Sequence, residues 1–174
     1  PDSWIWVDLM RVERVTSADL DSTYCCMKET PLGVNWADYV PKSREWFGAS
    51  LGKYTDGYHL LDGDKAVGFV YWASSENAMV PYETEPKVAC IYCTEMLHDY
   101  LHKAYGRLMF DFVKSDLKGQ GFKGMLVDAS DFKEWMHYEL FLKQGFRVIK
   151  EHAPFKLMYF PLTKDAVKVR LIEL

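Results

Sequence analysis

Apolar and polar positions change period several times along the chain, and each change marks an element. Trp4 to Met10 alternates and reads as a strand. Thr16-Ser17-Ala18-Asp19 carries helix-start chemistry, with Thr16 or Ser17 as cap and an acid in the first turn. A helix through Leu20, Tyr24 and Met27 follows, ending near Pro31. A second helical stretch spans Trp36 to Leu51; Pro41 either kinks it or sits in the first turn of a restarted helix. Tyr58 to Leu61 and Lys65 to Ala73 are strand-like runs around Asp62-Gly63-Asp64, the pattern of a hairpin. Ser74 to Pro86 is polar, carries two prolines and reads as a loop.

Val88 to Met96 is an apolar run rich in β-formers, a strand with buried faces. From His98 to Lys118 the period becomes helical, with Leu101, Tyr105, Leu108, Met109, Phe112, Val113 and Leu117 at helical spacing and Gly119 to Gly121 as the stop. The small residues of Ala104-Tyr105-Gly106 mark where strand hands over to helix, a place where an anion can approach free N–H groups. Met125 to Asp128 is a short strand whose place after that helix implies a parallel crossover. Glu134 to Gln144 reads as a helix stopped by Gly145. Phe146 to Lys150 and Phe155 to Leu162 read as strands, and Val167 to Leu174 as an extra strand or ordered tail. The order β-α-α-β-β-β-α-β-α-β-β, without repeat or linker, gives one α/β (α+β) domain over residues 1–174 with helices on both faces of a sheet.

Composition narrows the function classes. The net charge of −4 comes with no long basic run, which argues against nucleic acid as a partner. No apolar run is long enough to span a bilayer, which argues against a membrane role. The first residues lack the basic-then-apolar pattern of a secretory leader, although a start at Pro1 points to residues upstream. Four cysteines do not make a secreted disulfide framework, so a cytoplasmic location is expected. Aromatics make up 16% of the chain, enough for an aromatic-lined pocket beside the core.

Two short motifs carry the chemistry. Leu101-His102-Lys103-Ala104-Tyr105-Gly106, followed by Arg107-Leu108-Met109, resembles the Gln/Arg-x-x-Gly-x-Gly/Ala turn of the GNAT superfamily of acyl-coenzyme A N-acyltransferases. Phe141-Leu142-Lys143-Gln144-Gly145-Phe146 resembles that family's Tyr-x-x-x-Gly-Phe sequence, and Lys65-Ala-Val-Gly-Phe-Val70 resembles one of its hairpin strands. The likeness covers nearly the whole domain in element order. It departs at Leu101, where the family has Gln or Arg, at Ala104, where it has Gly, and at Phe141, where it has Tyr.

The resemblance implies a mixed, mostly antiparallel twisted sheet with a splayed parallel pair of central strands. It also implies an N-acetyltransferase that moves acetyl from acetyl-coenzyme A to a primary amine by direct attack. Thr94, Glu95 and Met96 map to the splayed strand beside the pantetheine arm, with a backbone N–H of that strand on the thioester carbonyl. Leu101, His102, Lys103, Ala104, Tyr105, Gly106 and Arg107 map to the pyrophosphate turn. The chemistry of those residues suits that role, because helix-start N–H groups and nearby cations favour an anion. A simpler account of Gly106 is that it is small for helix packing.

The amine must be neutral to attack, so a general base helps. Glu95, His98, Glu83 and Glu85 are the candidates, Glu95 being nearest the expected thioester; each also reads as an ordinary surface group. The family's usual acid for the leaving thiolate falls on Phe141, which has no proton to give. Tyr138, one helical turn earlier, is the substitute, with Tyr105 and His137 behind it. The loss of that acid keeps a second reading open, a non-catalytic acyl-coenzyme A binding or regulatory module. A purely structural domain is a third, and a filled, narrow cleft between Met96 and Gly106 would favour it.

Other constellations are weaker. Cys90-Ile-Tyr-Cys93 lies in a strand, where positions three apart point to opposite faces, so core packing is expected; Cys25 and Cys26 read the same way. Without a second cluster at metal spacing, no metal site is expected. Asp128, Ser130 and His137 do not make a nucleophile triad. Tyr24, Trp36, Tyr39, Trp46 and Phe47 fall where the family builds its acceptor pocket, although helix-on-sheet packing explains them as well. The expected partner is a small-molecule or peptide amine, and the tail from Val167 offers a strand for a homodimer.

Overall fold

The computed structural model describes residues 9–22 and 40–172. Seven strands form one sheet, side by side in the order β1 (Met10–Arg14), β2 (Asp56–Asp62), β3 (Lys65–Ser74), β5 (Val88–Met96), β6 (Gly124–Ser130), β8 (Phe155–Pro161) and β7 (Arg147–His152). β4 (Tyr82–Thr84) and β9 (Val169–Leu171) form a separate antiparallel ribbon. In the large sheet every neighbouring pair is antiparallel except β5 and β6, which are parallel.

Among the described residues three α-helices lie on the two faces: α1 (Val40–Ser50), α2 (Tyr105–Gly119) and α3 (Tyr138–Lys143). Along β3, Val70 and Trp72 point one way and Phe69 and Tyr71 the other. The first pair joins the core under α2 and α3, with Ile91, Met125, Val127 and Met158. Phe69 and Tyr71 meet Phe47 of α1 and Val15. On the α1 side of the sheet, the ribbon covers Cys90, Leu126, Leu157 and Tyr159 through Tyr82. α2 is held by a stripe of Met109, Phe110, Val113 and Leu117, all buried. Burial at this depth contributes roughly 1.5–3 kcal/mol for each large apolar side chain. Asp116 on its outer side accepts hydrogen bonds from Arg14, Tyr58 and Gln120, which ties α2 to β1 and β2.

Several expectations shift. The stretch from His98 is not one helix: His98–Tyr100 is a 3-10 turn, Leu101 to Ala104 is irregular, and α2 starts at Tyr105. Leu108 and Phe112 are about two-fifths exposed while Phe110 is buried, so the stripe that meets the sheet is narrower than the apolar pattern and shifted toward Phe110. Pro41 sits in the first turn of α1, where its missing N–H costs nothing. The polar stretch from Ser74 contains β4, and the tail contains β9, which pairs with β4 of the same chain. The helix expected from Glu134 is only α3, preceded by a loop. The strand read from Trp4 to Met10 lies almost wholly outside the described residues; β1 runs from Met10. At Ser17–Ser22 the structure has a 3-10 turn, and the rest of that predicted helix lies outside the described residues.

Candidate functional site

β5 and β6 share a parallel register only from Val88↔Gly124 to Ile91↔Val127. Beyond that point β5 stays with β3 as far as Gly68↔Met96, and β6 stays with β8 as far as Ser130↔Phe155. The two central strands therefore part, and Thr94, Glu95 and Met96 line one side of the gap. The Thr94 N–H points across it to the Met136 sulfur, 3.2 Å away. Met136 belongs to the loop before α3, has a left-handed φ of 48°, and is buried. The Ser130 N–H donates to the Met136 carbonyl at 2.9 Å, which fixes this loop to the end of β6.

The chain leaves β5 through a turn that presents backbone donors. His102 and Ala104 both adopt left-handed φ, 61° and 62°. For a side chain larger than Gly this costs of order 1–2 kcal/mol. Ala104 occupies the motif position where the resemblance expects Gly, and it adopts a positive φ that Gly would take without steric cost. Ala104 caps α2 with no side-chain bond, and the first helical bond runs from the Leu108 N–H to the Ala104 carbonyl. The N–H groups of Tyr105, Gly106 and Arg107 thus lie outside the helix's own ladder. His102, Lys103 and Arg107 are exposed around them, as is Leu101. Among the described residues outside its own helix backbone, a Cβ at Gly106 would meet only the Gln144 amide nitrogen, at 3.7 Å. Gly106 is therefore not required by helix packing.

A bulge at Tyr92 decides which side chains face which side of the gap. Trp72 pairs with Ile91 and Tyr71 with Cys93, leaving Tyr92 extra. Cys93 and Glu95 consequently lie on the face of Tyr71 and Phe69, the α1 face. The bulge also returns Cys90 and Cys93 to one face, opposite Ala73 and Tyr71, against the expectation that they diverge. Neither forms a disulfide. Burial pushes the Cys90 thiol up to about 11.

The structure separates the candidate bases. Glu83 is held by Arg170, and Glu85 by Lys123 at 3.4 Å and by the Lys168 N–H, both at the opposite end of β5. That strand is about 26 Å long at the usual rise. His98 is exposed on the 3-10 turn. Glu95 alone of the four lies on the splayed segment, half-buried. Phe141 is fully buried and meets Phe110 and Phe146 edge-on at 6.1 and 5.5 Å, so it is a core residue. Tyr138 opens α3 two residues after Met136, packed on the α2 side of the sheet, with the Lys156 ammonium 5.0 Å from its ring centre. Glu95 and Tyr138 therefore approach the gap from opposite faces.

On the α1 face, Trp46, Phe47, Thr55, Tyr71, Met79, Tyr92 and Cys93 enclose a pocket of about 230 Å³. Trp46 and Phe47 are the expected pocket aromatics that fall within the described residues; Tyr24, Trp36 and Tyr39 do not.

No protein-family model matches the sequence, and no curated protein matches it significantly. Solved structures do match. The PaiA N-acetyltransferase of Thermoplasma acidophilum, in complex with coenzyme A, superposes with a TM-score of 0.67 at 13% identity, over 87% of this chain and 98% of that one. The ribosomal-protein-S18-alanine N-acetyltransferase of Escherichia coli gives 0.63 at 13%, over 90% and 96%. A Desulfovibrio desulfuricans protein described as a GNAT-family acetyltransferase gives 0.68 at 12%, over 88% and 99%. The chain has the GNAT fold. The mixed sheet with one splayed parallel pair and helices on both faces is that fold's architecture, as the motifs implied.

Two features of this domain had no sequence signal. The plug at Thr94 joins residues 42 apart through a loop of irregular backbone. His152 Nε2 lies 2.6 Å from the Asp128 carboxylate, a pair assembled by the β6–β8–β7 pairing. Burial raises the Asp128 carboxyl above its ordinary range, with His152 opposing. Asp128 thus belongs to His152 rather than His137, and the Ser130 hydroxyl is directed to the Trp135 carbonyl, so no nucleophile triad exists there. Among the described residues no cluster of metal-ligating side chains occurs. Among them, too, no helix is long and apolar enough to cross a membrane.

Proposed function

We propose that this chain is a cytoplasmic N-acetyltransferase that moves acetyl from acetyl-coenzyme A to a primary amine by direct attack. The observation that carries the reading is the coincidence of the β5–β6 splay with a donor-rich helix start within the GNAT fold. The N–H groups of Tyr105, Gly106 and Arg107 would take the pyrophosphate, with Leu101, His102, Lys103 and Ala104 forming the exposed turn above it. Thr94, Glu95 and Met96 would flank the pantetheine arm, and a backbone N–H of that strand would stabilise the oxyanion. The coenzyme A complex of the PaiA neighbour supports acyl-coenzyme A as the class of donor.

In the reaction, Glu95 takes a proton from the ammonium form of the acceptor. The freed nitrogen forms a C–N bond to the thioester carbon and gives up its second proton to solvent; the C–S bond breaks, the thiolate receives a proton from Tyr138, and the phenolate regains one from solvent. The placement of Glu95 and Tyr138 on opposite faces suits this order, since the acceptor then enters from the α1 side and the thiol leaves toward α3.

Thermal unfolding with acetyl-coenzyme A and a thiol-release assay over a panel of amines test this together. A rise in melting temperature of several degrees and amine-dependent thiol release are expected. No shift at millimolar ligand would overturn the reading. The second reading, an acyl-coenzyme A binding module without turnover, is favoured by the buried Phe141. Binding without thiol release from any amine would decide for it.

A further inference from the structure

The pocket on the α1 face identifies what kind of acceptor the site takes, given the acetyltransferase reading on which this inference rests. It adjoins the splay directly. Cys93 lines it, Thr94 is the next residue along β5, and Glu95 shares the face of Cys93. The part of an acceptor that does not react therefore lies here when its nitrogen is at the strand.

The chemistry of the wall is narrow. None of its described lining residues carries a formal charge. Its hydroxyls are already engaged within the protein. The Tyr92 hydroxyl donates to the Tyr54 carbonyl at 3.1 Å and accepts from the Met79 N–H at 3.0 Å. The Thr55 hydroxyl donates to the Trp72 carbonyl at 3.4 Å, and the Tyr71 hydroxyl lies 3.0 Å from His59 Nε2. The lining then offers a ligand chiefly ring surface and the Met79 thioether.

Size and stiffness narrow it further. A dry cavity of about 150 Å³ holds a benzene ring, so about 230 Å³ admits one ring with a short spacer. The floor is rigid: Phe47 packs on Tyr71 at 4.7 Å and Tyr71 on Phe69 at 4.2 Å. The rim is adjustable, with Trp46 41% and Met79 66% exposed.

We propose that the acceptor is a primary amine carrying an uncharged, ring-sized apolar group, which occupies this pocket while the amine meets Glu95. An arylalkylamine and a peptide with an N-terminal phenylalanine share that chemistry. A polyamine or an aminoglycoside fits less well, because its additional charges would be desolvated against described lining residues that carry no charge to pair with them.

The test compares kcat/KM for 2-phenylethylamine, a Phe-Gly-Gly peptide, ethylamine, spermidine and an aminoglycoside, with acetyl-coenzyme A binding followed separately by thermal shift. At least one aromatic acceptor is expected to exceed ethylamine by roughly 10- to 100-fold, as burial of a ring allows. Whichever aromatic acceptor leads identifies the source as free amine or peptide. Trp46→Ala should cut the ratio of the better aromatic acceptor to ethylamine at least tenfold, whatever it does to ethylamine itself. Calorimetric titration of N-acetyl-2-phenylethylamine in the presence of coenzyme A gives a readout without turnover, and Met79→Arg should weaken that binding while the acetyl-coenzyme A shift persists. A normal shift with spermidine or the aminoglycoside as best acceptor, or no advantage of either aromatic acceptor over ethylamine, would overturn the inference and leave the acetyltransferase reading standing. Absence of the shift itself would overturn both.

Discussion

The backbone N–H of Thr94 meets the sulfur of Met136 at 3.2 Å, inside the gap where β5 leaves β6. A thioether is a weak acceptor, so this contact satisfies a strand donor without holding it strongly. It also fills the gap with a flexible side chain, which a bound pantetheine arm would have to displace.

Replacing Met136 by Ala should therefore separate stability from affinity. The residue is buried, and a Met→Ala change in a core costs about 2–5 kcal/mol. The ligand-free melting temperature should fall, while the dissociation constant for coenzyme A, measured by calorimetry, should tighten several-fold because no sulfur has to move. A weaker dissociation constant would show that Met136 supports the bound arm instead of occupying its place.

Gly106→Glu tests the helix start. The site has room for a side chain, since a Cβ there meets only Gln144 at 3.7 Å, so folding should survive. The new carboxylate would stand among the N–H groups proposed for the pyrophosphate and repel it. Affinity for acetyl-coenzyme A should drop at least tenfold, with Gly106→Ala losing much less. Equal losses in both variants would mean that close backbone approach, not charge, is what Gly106 supplies.

The parts of the fold read correctly from the sequence are those with a strong local period. β5 was legible from Val88 to Met96 because an unbroken apolar run flanked by polar residues has few alternatives, and the parallel crossover to β6 followed from element order. The start of α2 was legible in part: Ala104-Tyr105-Gly106 marked the handover, but Leu101 mimics one more helical turn, so the helical period reads from His98, and Ala gives no sign of the positive φ at Ala104. The bulge at Tyr92 was hidden for a similar reason: one extra residue in a strand reverses the faces of all that follow and leaves no mark on composition. β4 and β9 are three residues each and stabilise one another at a sequence distance that periodicity does not see. At the site, Glu95 could be preferred by its place on the strand, but rejecting Glu83 and Glu85 needed their partners Arg170 and Lys123.

The roles of Glu95 and Tyr138 predict different pH behaviour. Glu95→Gln should lower kcat/KM about 100-fold near neutral pH, in the range usual for a lost general base. The deficit should shrink at high pH, where the acceptor loses its proton to solvent. Tyr138→Phe should cost less, about tenfold in kcat, since a thiol of pKa near 8.5 leaves tolerably well without help. A constant deficit across pH for Glu95→Gln would remove it from the role of base.

His59 should make the fold acid-sensitive. It is 3% exposed on β2, and burial pushes its imidazole down to about 4, with Asp19 opposing. The unfolded chain then binds a proton near pH 6.5 that the folded chain refuses until about pH 4. Stability is fully present above the unfolded value and falls as pH drops through this window, by on the order of 3 kcal/mol. Melting temperature measured from pH 7 to pH 4.5 should decline in the native chain, and less steeply in His59→Phe. The same slope in both would show that His59 is not its source. Asp116 acts at lower pH: burial raises its carboxyl, but Arg14 and Tyr58 outweigh that and hold it below its ordinary range. The two sources are separable by pH. The contribution of Asp116 persists down to the carboxylate range and is lost as pH falls through its depressed value, whereas that of His59 is already being lost below pH 6.5.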